Sequence, residues 1–209
     1  MKYYSQYGQD EWLYNNIFSN VNCGTFIEIG ADDGIDKSNT KFFEDIGWNG
    51  LCIEPSPVRF KKLSRNRGCI CENFAISDQD GTVEFLDISG WGKGLSGITS
   101  KYNDRHKNRI ASEVRHPDNT GFEKIKVKTT TIVKLLKKHG IEHVNFCSID
   151  TEGCELDIIR SIDFKKTSID VLLIENNYNK SQIEHHLTQY GYKKIAKLTI
   201  DDVYQRISS

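Results

Sequence analysis

Short apolar, β-branched runs alternate along this chain with amphipathic segments. The runs that predict strands are GTFIEIG, GLCIEP, CICENFAIS, GTVEFLDIS, KIKVKTTTI, VNFCSID, IDVLLIEN, YKKIAKLT and DVYQRI. The segments that predict helices run from about Ser38, an N-cap-like residue, to Ile46 and through SPVRFKKLSRN, TIVKLLKKHG, EGCELDIIRSI and KSQIEHHLTQY. Strands that alternate with helices indicate an α/β fold, in which helices cover both faces of an open, mostly parallel sheet.

Composition and charge argue against two classes, nucleic-acid-binding proteins and membrane proteins. The chain has 209 residues and a formal net charge of -1, from 28 Lys and Arg against 29 Asp and Glu. This balance argues against a nucleic acid partner. Neither a signal-peptide core nor a run of the roughly 18 to 20 apolar residues that span a bilayer occurs in the sequence. We therefore expect a cytoplasmic protein without a membrane partner.

The six cysteines are expected to be reduced. Cys52 and Cys147 fall inside predicted buried strands, where a free cysteine behaves as a small apolar residue. Cys69 and Cys71 share one face of a predicted strand but lack the partner pairs of a zinc site. Structural thiols are thus favoured over disulfides or a metal.

Polar side chains follow nearly every strand of the predicted sheet. They occupy residues 28–34, 54–56, 73–77, 150–152 and 175–177. Ligands of open α/β sheets bind beyond the carboxyl ends of the strands. The sequence therefore predicts a binding site built from these segments.

The turn after the first strand, TFIEIGADDG, indicates which ligand this site holds. Gly30 allows a tight turn, but a dinucleotide fingerprint would need another glycine where Asp32 stands. The carboxylates of Asp32 and Asp33 would repel a pyrophosphate, so a ligand with a cationic or neutral portion is favoured. S-adenosylmethionine has a sulfonium, an ammonium and ribose hydroxyls, and Glu54 at the end of the second strand suits the ribose. Solvated aspartates that cap a turn are the structural alternative.

The chain resembles the FkbM family of S-adenosylmethionine-dependent methyltransferases. The resemblance is carried by SQYGQDEWL, FIEIGADDGIDKSNT, GWNGLCIEPSP, NFAIS, GLSGI, SIDTEGCELDIIRSIDF and IENN, in this order. It implies a class I methyltransferase, Rossmann-like fold with a seven-stranded sheet. It also implies transfer to a hydroxyl oxygen, often of a sugar or glycan, with a deoxyhexose such as rhamnose among the acceptors considered.

The resemblance also implies roles for individual residues. Glu28, Gly30 and Asp32 would line the methionine and ribose region, Glu54 would bind the ribose hydroxyls, and Asp150 would lie near the transferred methyl. Gln6 or Gln9 would belong to a flap over the cofactor, although Gln9 also suits a helix start. The other cofactor contacts expected are Asp33, Asn39, Pro55, Asn73, Phe74 and Ala75, of which the last three would border the adenine.

An alcohol is a weak nucleophile unless a base or a metal assists it. The candidate bases are Asp150, Glu152 and Glu175, all at strand ends on one rim. The alternative for the first two, and more so for Glu155, is helix capping. The same three carboxylates could form a divalent-cation site, but strong metal-binding spacing is missing, and we expect metal-independent chemistry.

Residues 89–123 interrupt the alternation of strands and helices. This segment is rich in glycine, asparagine and basic residues. Long loops in compact domains are usually functional or mobile. We predict a single domain over 1–209 in which this insert is an acceptor-binding lid, although a surface loop with solvated charges is nearly as well supported. Its candidate contacts are Trp91, Ser96, Arg105, His106 and His116.

The leading hypothesis is therefore a sugar or glycan O-methyltransferase. An NAD-linked oxidoreductase or epimerase of similar fold is disfavoured by Asp32 and the missing glycine. A non-catalytic methyltransferase-like binding module is the third hypothesis, and intact candidate residues at each strand end argue against it.

Overall fold

The predicted strands are present in the structure, a computed structural model that describes residues 1–207, with the backbone alone at 119 and 120. In chain order they are β1 (Thr25–Ile29), β2 (Asn49–Ile53), β3 (Ile70–Glu72), β4 (Ala75–Ile76), β5 (Gly81–Gly90), β6 (Gly97–Ile98), β7 (Asn119–Thr130), β8 (His143–Ile149), β9 (Ser168–Glu175), β10 (Tyr192–Leu198) and β11 (Asp201–Arg206). The helices are α1 (Gln9–Leu13), α2 (Lys41–Asp45), α3 (Pro57–Asn66), α4 (Asp104–Glu113), α5 (Ile132–His139), α6 (Glu155–Arg160) and α7 (Ser181–Thr188).

The main sheet of the described chain has seven strands in the order β10-β11-β9-β8-β1-β2-β3. The strands from β9 to β3 pair in parallel, whereas β11 pairs antiparallel with both β9 and β10. Strand order reverses between β1 and β8, which is where doubly wound sheets bind ligands. The expected class I methyltransferase fold with a mostly parallel sheet is confirmed.

Side chains alternate between two cores on the two faces of this sheet. Ile27 and Ile29 of β1 pack in one core with apolar residues of α5, α6 and α7. Phe26, which directly precedes Ile27 and points to the opposite face, packs in the other core with residues of α1, α2 and α3. Helices therefore cover both faces, as predicted.

Helix α2 starts later than the sequence suggested. Its N-cap is Thr40, not Ser38. The Ser38 hydroxyl donates to the Glu28 carboxylate and accepts from the backbone N–H of Lys41. The hydroxyl thus accepts from the start of the helix as an N-cap side chain does, although the helical backbone begins only at Lys41.

A second, four-stranded sheet has the order β4-β7-β5-β6. The run CICENFAIS is thus not one strand with an exit loop, because β3 ends in the main sheet and β4 pairs with β7. The segment 89–123 is more regular than expected. It contains a 3-10 turn at Trp91–Leu95, β6, α4 and the start of β7. Among the residues described, no helix combines the length and apolar character needed to cross a membrane.

Candidate active site

A cavity of about 450 Å³ lies at the carboxyl ends of the central strands. Residues before α1 and residues of the 89–123 segment complete its wall. The sequence-predicted residues that border it are Gln9, Glu28, Gly30, Asp32, Asn39, Glu54, Pro55, Phe74, Ala75, Trp91, Ser96, Asp150, Glu152 and Glu175. The edge of the sheet chosen from the strand ends is therefore the edge that carries the cavity.

Gly30 is needed for the contact between two strands. Its φ is 90°, and a Cβ added there would lie 1.8 Å from the backbone oxygen of Asp150. The backbone N–H groups of Gly30 and Ala31 both donate to the Ile53 carbonyl at 3.0 Å. The glycine was expected to let the backbone approach a ligand, but the close approach in the structure is to β8.

The Glu28 carboxylate is already fully engaged. It accepts hydrogen bonds from the Thr40 hydroxyl at 2.7 Å, the Ser38 hydroxyl and the Asn39 backbone N–H at 2.8 Å, and the Arg67 guanidinium at 3.1 Å. Glu28 borders the cavity, yet its carboxylate fixes the loop before α2. That Glu28 lines the methionine and ribose region stays a prediction, and its carboxylate would do so while bound to these partners.

Asn39 borders the cavity and is held by β8. Its Nδ2 donates to the Ser148 hydroxyl at 3.0 Å. Its Oδ1 is buried and has no hydrogen-bond partner within the described part of the chain. An unsatisfied buried oxygen is costly, so this amide is a polar group whose partner is still to be supplied.

Asp32 and Glu54, the acidic residues that follow β1 and β2, differ in their contacts. Asp32 is paired with Lys93 at 2.7 Å and with Arg59 at 3.7 Å, so its carboxylate is not free to attract a cationic cofactor. Glu54 accepts from the backbone N–H of Ser56 at 2.8 Å and of Asp32 at 3.0 Å. Burial raises the pKa of Glu54 to about 7, against the opposing charge of Arg59.

Two predicted cofactor residues are outside the lining of the cavity. Asp33 closes its own turn, because its Oδ1 accepts from the backbone N–H of Ile35 and of Asp36 at 2.9 Å. Asn73 donates from Nδ2 to the carbonyls of Glu54 at 2.8 Å and Pro55 at 3.0 Å. Both side chains shape the loops that border the cavity.

The three candidate bases come together. Asp150, Glu152 and Glu175 each offer an oxygen, and these oxygens lie within 4.8 Å of one another. They meet because β8 and β9 are neighbours in the sheet and end at the same edge. Burial raises the pKa of all three carboxyls, and the charge of Asp150 adds to this at Glu152 and Glu175. At Asp150 the added repulsion comes from Asp201 and Glu155, and a hydrogen bond with Glu175 acts against it. Such a group holds protons near neutral pH and can exchange them with a substrate.

Glu155 lies in the first turn of α6, as the helix-capping interpretation expected, but the N-cap is Cys154 and the carboxylate binds the loop before the helix. Its Oε1 accepts from the backbone N–H of Gly153 at 2.8 Å and from the Thr151 hydroxyl at 2.9 Å. Asp150 and Glu152, in contrast, border the cavity. The sequence alone left both interpretations open for these acids.

The lid residues divide into two groups. Trp91 is 60% exposed and borders the cavity, whereas the Ser96 hydroxyl, although it borders the cavity, is bonded to Arg59 at 2.6 Å. The other three candidate contacts do not border the cavity. His116 stacks on Trp91 at 4.6 Å, Arg105 lies over the Tyr178 ring, and His106 is buried at 1% exposure.

His106 instead contacts one of the candidate bases, Glu152, on the side away from the cavity. Its Nδ1 lies 3.3 Å from Oε2 of Glu152, and its Nε2 lies 3.3 Å from the Leu95 carbonyl. Helix α4 presents it, with Asn103 as the N-cap. The polar sequence around His106 gave no signal of burial.

Several cavity residues were missed by the sequence reasoning. Arg59 and Lys93 pair with Asp32, and Asp201 accepts from Nε2 of Gln9 at 2.6 Å. Arg109 also borders the cavity. A motif could not reveal these residues, because their neighbours in space are distant in sequence.

Comparisons with known proteins agree with the fold. A family model described as the methyltransferase FkbM domain matches residues 28–206. No curated protein matches the chain. The METTL16 MTase domain is 12% identical, with a TM-score of 0.46 over 93% of this chain and 63% of that one. M. capricolum TrmK in complex with the cofactor product S-adenosyl-homocysteine is 8% identical, with a TM-score of 0.48 over 95% of this chain and 67% of that one.

Proposed function

This chain belongs to the FkbM methyltransferase family, whose methyl donor is S-adenosylmethionine, and we propose that it methylates a hydroxyl oxygen of a sugar. The observation that carries the proposal is the meeting of Asp150, Glu152 and Glu175 at the cavity wall. A hydroxyl acceptor must lose a proton, and this cluster can take it.

The cofactor would lie between the β1–β2 turn and the carboxylate cluster. When bound, it supplies an electrophilic methyl carbon on a positively charged sulfur. Asn39 would lie beside the cofactor, and Glu54 would accept from the ribose hydroxyls. Phe74 and Ala75 supply apolar surface for the adenine.

Asp150 is the base that we favour. It directly follows β8, and its charge adds to burial in raising the pKa of both Glu152 and Glu175. The three groups keep a carboxylate near the acceptor at neutral pH and spread the proton that it gains. In-line attack then requires the acceptor oxygen to be held near the methyl carbon.

The acceptor would enter beneath Trp91. One face of this indole is stacked on His116 at 4.6 Å, and the side chain remains 60% exposed at the cavity. An aromatic face suits the C–H face of a pyranose ring. Arg109, which also borders the cavity, would bind an anionic or hydroxyl group of the same acceptor.

A product screen tests the proposal. The protein is incubated with methyl-labelled S-adenosylmethionine and a panel of hexoses, deoxyhexoses and glycans, and the products are hydrolysed and identified by mass spectrometry. We expect a sugar methyl ether and no incorporation into RNA or protein. Label that is found on a nitrogen, or that requires RNA or protein as acceptor, would contradict sugar O-methylation.

Two further measurements define the cofactor chemistry. Calorimetry is expected to give binding of S-adenosylmethionine and S-adenosylhomocysteine but not of NAD. Transfer in EDTA tests whether the carboxylate cluster acts without a cation. Full activity in EDTA supports the base assignment, whereas loss that Mg²⁺ restores would assign the cluster to a metal.

A further inference from the structure

Three thiols meet on the side of the main sheet opposite to α5–α7. Cys52 on β2 is the register partner of Cys71 on β3, and Cys69 precedes β3 directly. The sulfurs of Cys52 and Cys69 lie 3.6 Å apart, and the Cys71 sulfur lies 3.5 Å from the Cys69 carbonyl. A disulfide would bring the first pair about 1.5 Å closer. The thiols are therefore unbonded but in contact.

The members of this group differ in access and in charge. Cys52 is fully buried, whereas Cys69 is partly exposed. Hydrogen bonds from Cys52 and Cys71, together with the positive charge of Arg67, lower the pKa of Cys69. Burial raises the pKa of Cys52. Because the thiolate is the reactive form, an oxidant meets a reactive sulfur first at Cys69.

The Glu28 carboxylate lies on the far side of Cys52. The Cys52 sulfur is 3.9 Å from Oε2 of Glu28, which is also bonded to Arg67 at 3.1 Å. The order across the sheet is thus Cys69, Cys52 and Glu28. This arrangement places an attacking thiol between the sulfur that it would attack and the carboxylate that fixes the loop before α2.

We propose that Cys69 is an oxidation site for peroxides and that its oxidation ends in a disulfide with Cys52. The Cys69 thiolate attacks one peroxide oxygen, the O–O bond breaks, and hydroxide or alkoxide leaves. Cys69 is then a sulfenic acid. The Cys52 thiol attacks the Cys69 sulfur, so that an S–S bond forms and the S–O bond breaks. The hydroxide that leaves takes the thiol proton, and the peroxide has oxidised the two thiols by two electrons.

The disulfide would act on the cofactor cavity through Glu28. The same carboxylate fixes Thr40 and the backbone of Asn39, and Asn39 borders the cavity. Movement of the Cys52 sulfur toward Cys69 draws it away from Glu28. We expect the oxidised protein to bind S-adenosylhomocysteine about fivefold more weakly, within the usual range of coupling between two sites. This second step rests on the proposed function.

Peptide mapping tests the oxidation site without any methyl transfer. The reduced protein is treated with a small excess of hydrogen peroxide, its free thiols are alkylated, and its peptides are analysed by mass spectrometry. We expect a peptide crosslinked through Cys52 and Cys69 that disappears after reduction. C69S should lose it, and C23S, which replaces an exposed cysteine elsewhere, should keep it.

Other products would overturn the proposal. These are modification confined to Cys23, a Cys69–Cys71 crosslink, or Cys69 sulfinic acid beside a free Cys52. C52A provides a second readout, because a sulfenic acid should then persist at Cys69 and react with dimedone. Its absence in folded C52A would also overturn the proposal.

Calorimetry separates the oxidation site from its effect on the cavity. A disulfide that leaves S-adenosylhomocysteine affinity unchanged would overturn the link through Glu28. Failure of the reduced protein to bind this ligand would count against the proposed function instead, since the crosslink is measured independently.

Discussion

Replacement of Arg67 should cost the protein a large part of its stability. The Arg67 side chain is fully buried. Its Nη1 lies 3.1 Å from Glu28 and its Nε lies 2.6 Å from Glu44. Nη2 also donates to the Thr40 hydroxyl at 3.0 Å. In R67M the aliphatic volume stays, but Glu28, which is itself buried, loses its counter-charge.

The magnitude follows from the uncompensated charge. Removal of one partner from a buried ion pair typically costs about 3 to 5 kcal/mol. For a chain of 150 to 250 residues this corresponds to a fall in Tm of about 6 to 20 °C. The double variant R67M/E28Q should recover part of the loss, because it no longer buries an unpaired carboxylate.

Urea unfolding followed by circular dichroism measures the loss. R65M is the matched control, since Arg65 is exposed in the last turn of α3 and should contribute less than about 1 kcal/mol. A loss below about 1 kcal/mol in R67M, or an additive double variant, would refute the reasoning that this ion pair holds β1, the loop before α2 and the end of α3 together.

Three further predictions concern the site itself. D150N should reduce methyl transfer by about 10²- to 10⁴-fold, the usual contribution of a general base, while S-adenosylhomocysteine affinity measured by calorimetry stays within a few fold; wild-type turnover would remove Asp150 as the base. The pKa of Glu54 is raised to about 7, and hydrogen bonds from ribose hydroxyls favour its ionised form. The affinity for S-adenosylhomocysteine should therefore increase from pH 6 to pH 8, and this increase should disappear in E54Q. G30A should unfold at lower urea than G47A, because both glycines have positive φ but only at Gly30 does a Cβ meet backbone, 1.8 Å from the Asp150 oxygen; equal midpoints would contradict this.

The buried strands were predictable because a strand covered on both faces needs apolar residues at nearly every position. β8 and β9 lie between two helical layers, so they contain nearly continuous apolar runs. The second sheet was not predictable in this way. β5 and β7 alternate in the manner of any half-buried strand, and the pattern does not state which strand will be the partner. Asn73, which binds the carbonyls of residues 54 and 55, is part of the turn that separates β4 from β3.

The location of the site was predicted correctly, but the hydrogen-bond partners and burial of its individual residues were not. Glu28 and Glu54 are both acids at strand ends, and their sequences do not distinguish them. Arg67 makes the first a structural carboxylate, whereas the second accepts from backbone N–H groups, lies 4.0 Å from Arg59 and keeps a raised pKa. His106 is similar, since its burial depends on Leu95 and Glu152 from other parts of the chain. Such differences arise from tertiary contacts alone.

The distribution of charge in the cavity changes how cofactor choice is explained. The sequence suggested that the aspartates after β1 attract a cationic ligand, but Asp32 is already paired with Lys93 and Arg59. Repulsion between carboxylates remains on the opposite wall, where the charge of Asp150 adds to burial in raising the pKa of Glu175. A positive sulfur beside that wall would lower the repulsion, whereas a pyrophosphate would increase it. The preference for a cationic donor is therefore better assigned to the ends of β8 and β9 than to the glycine turn after β1.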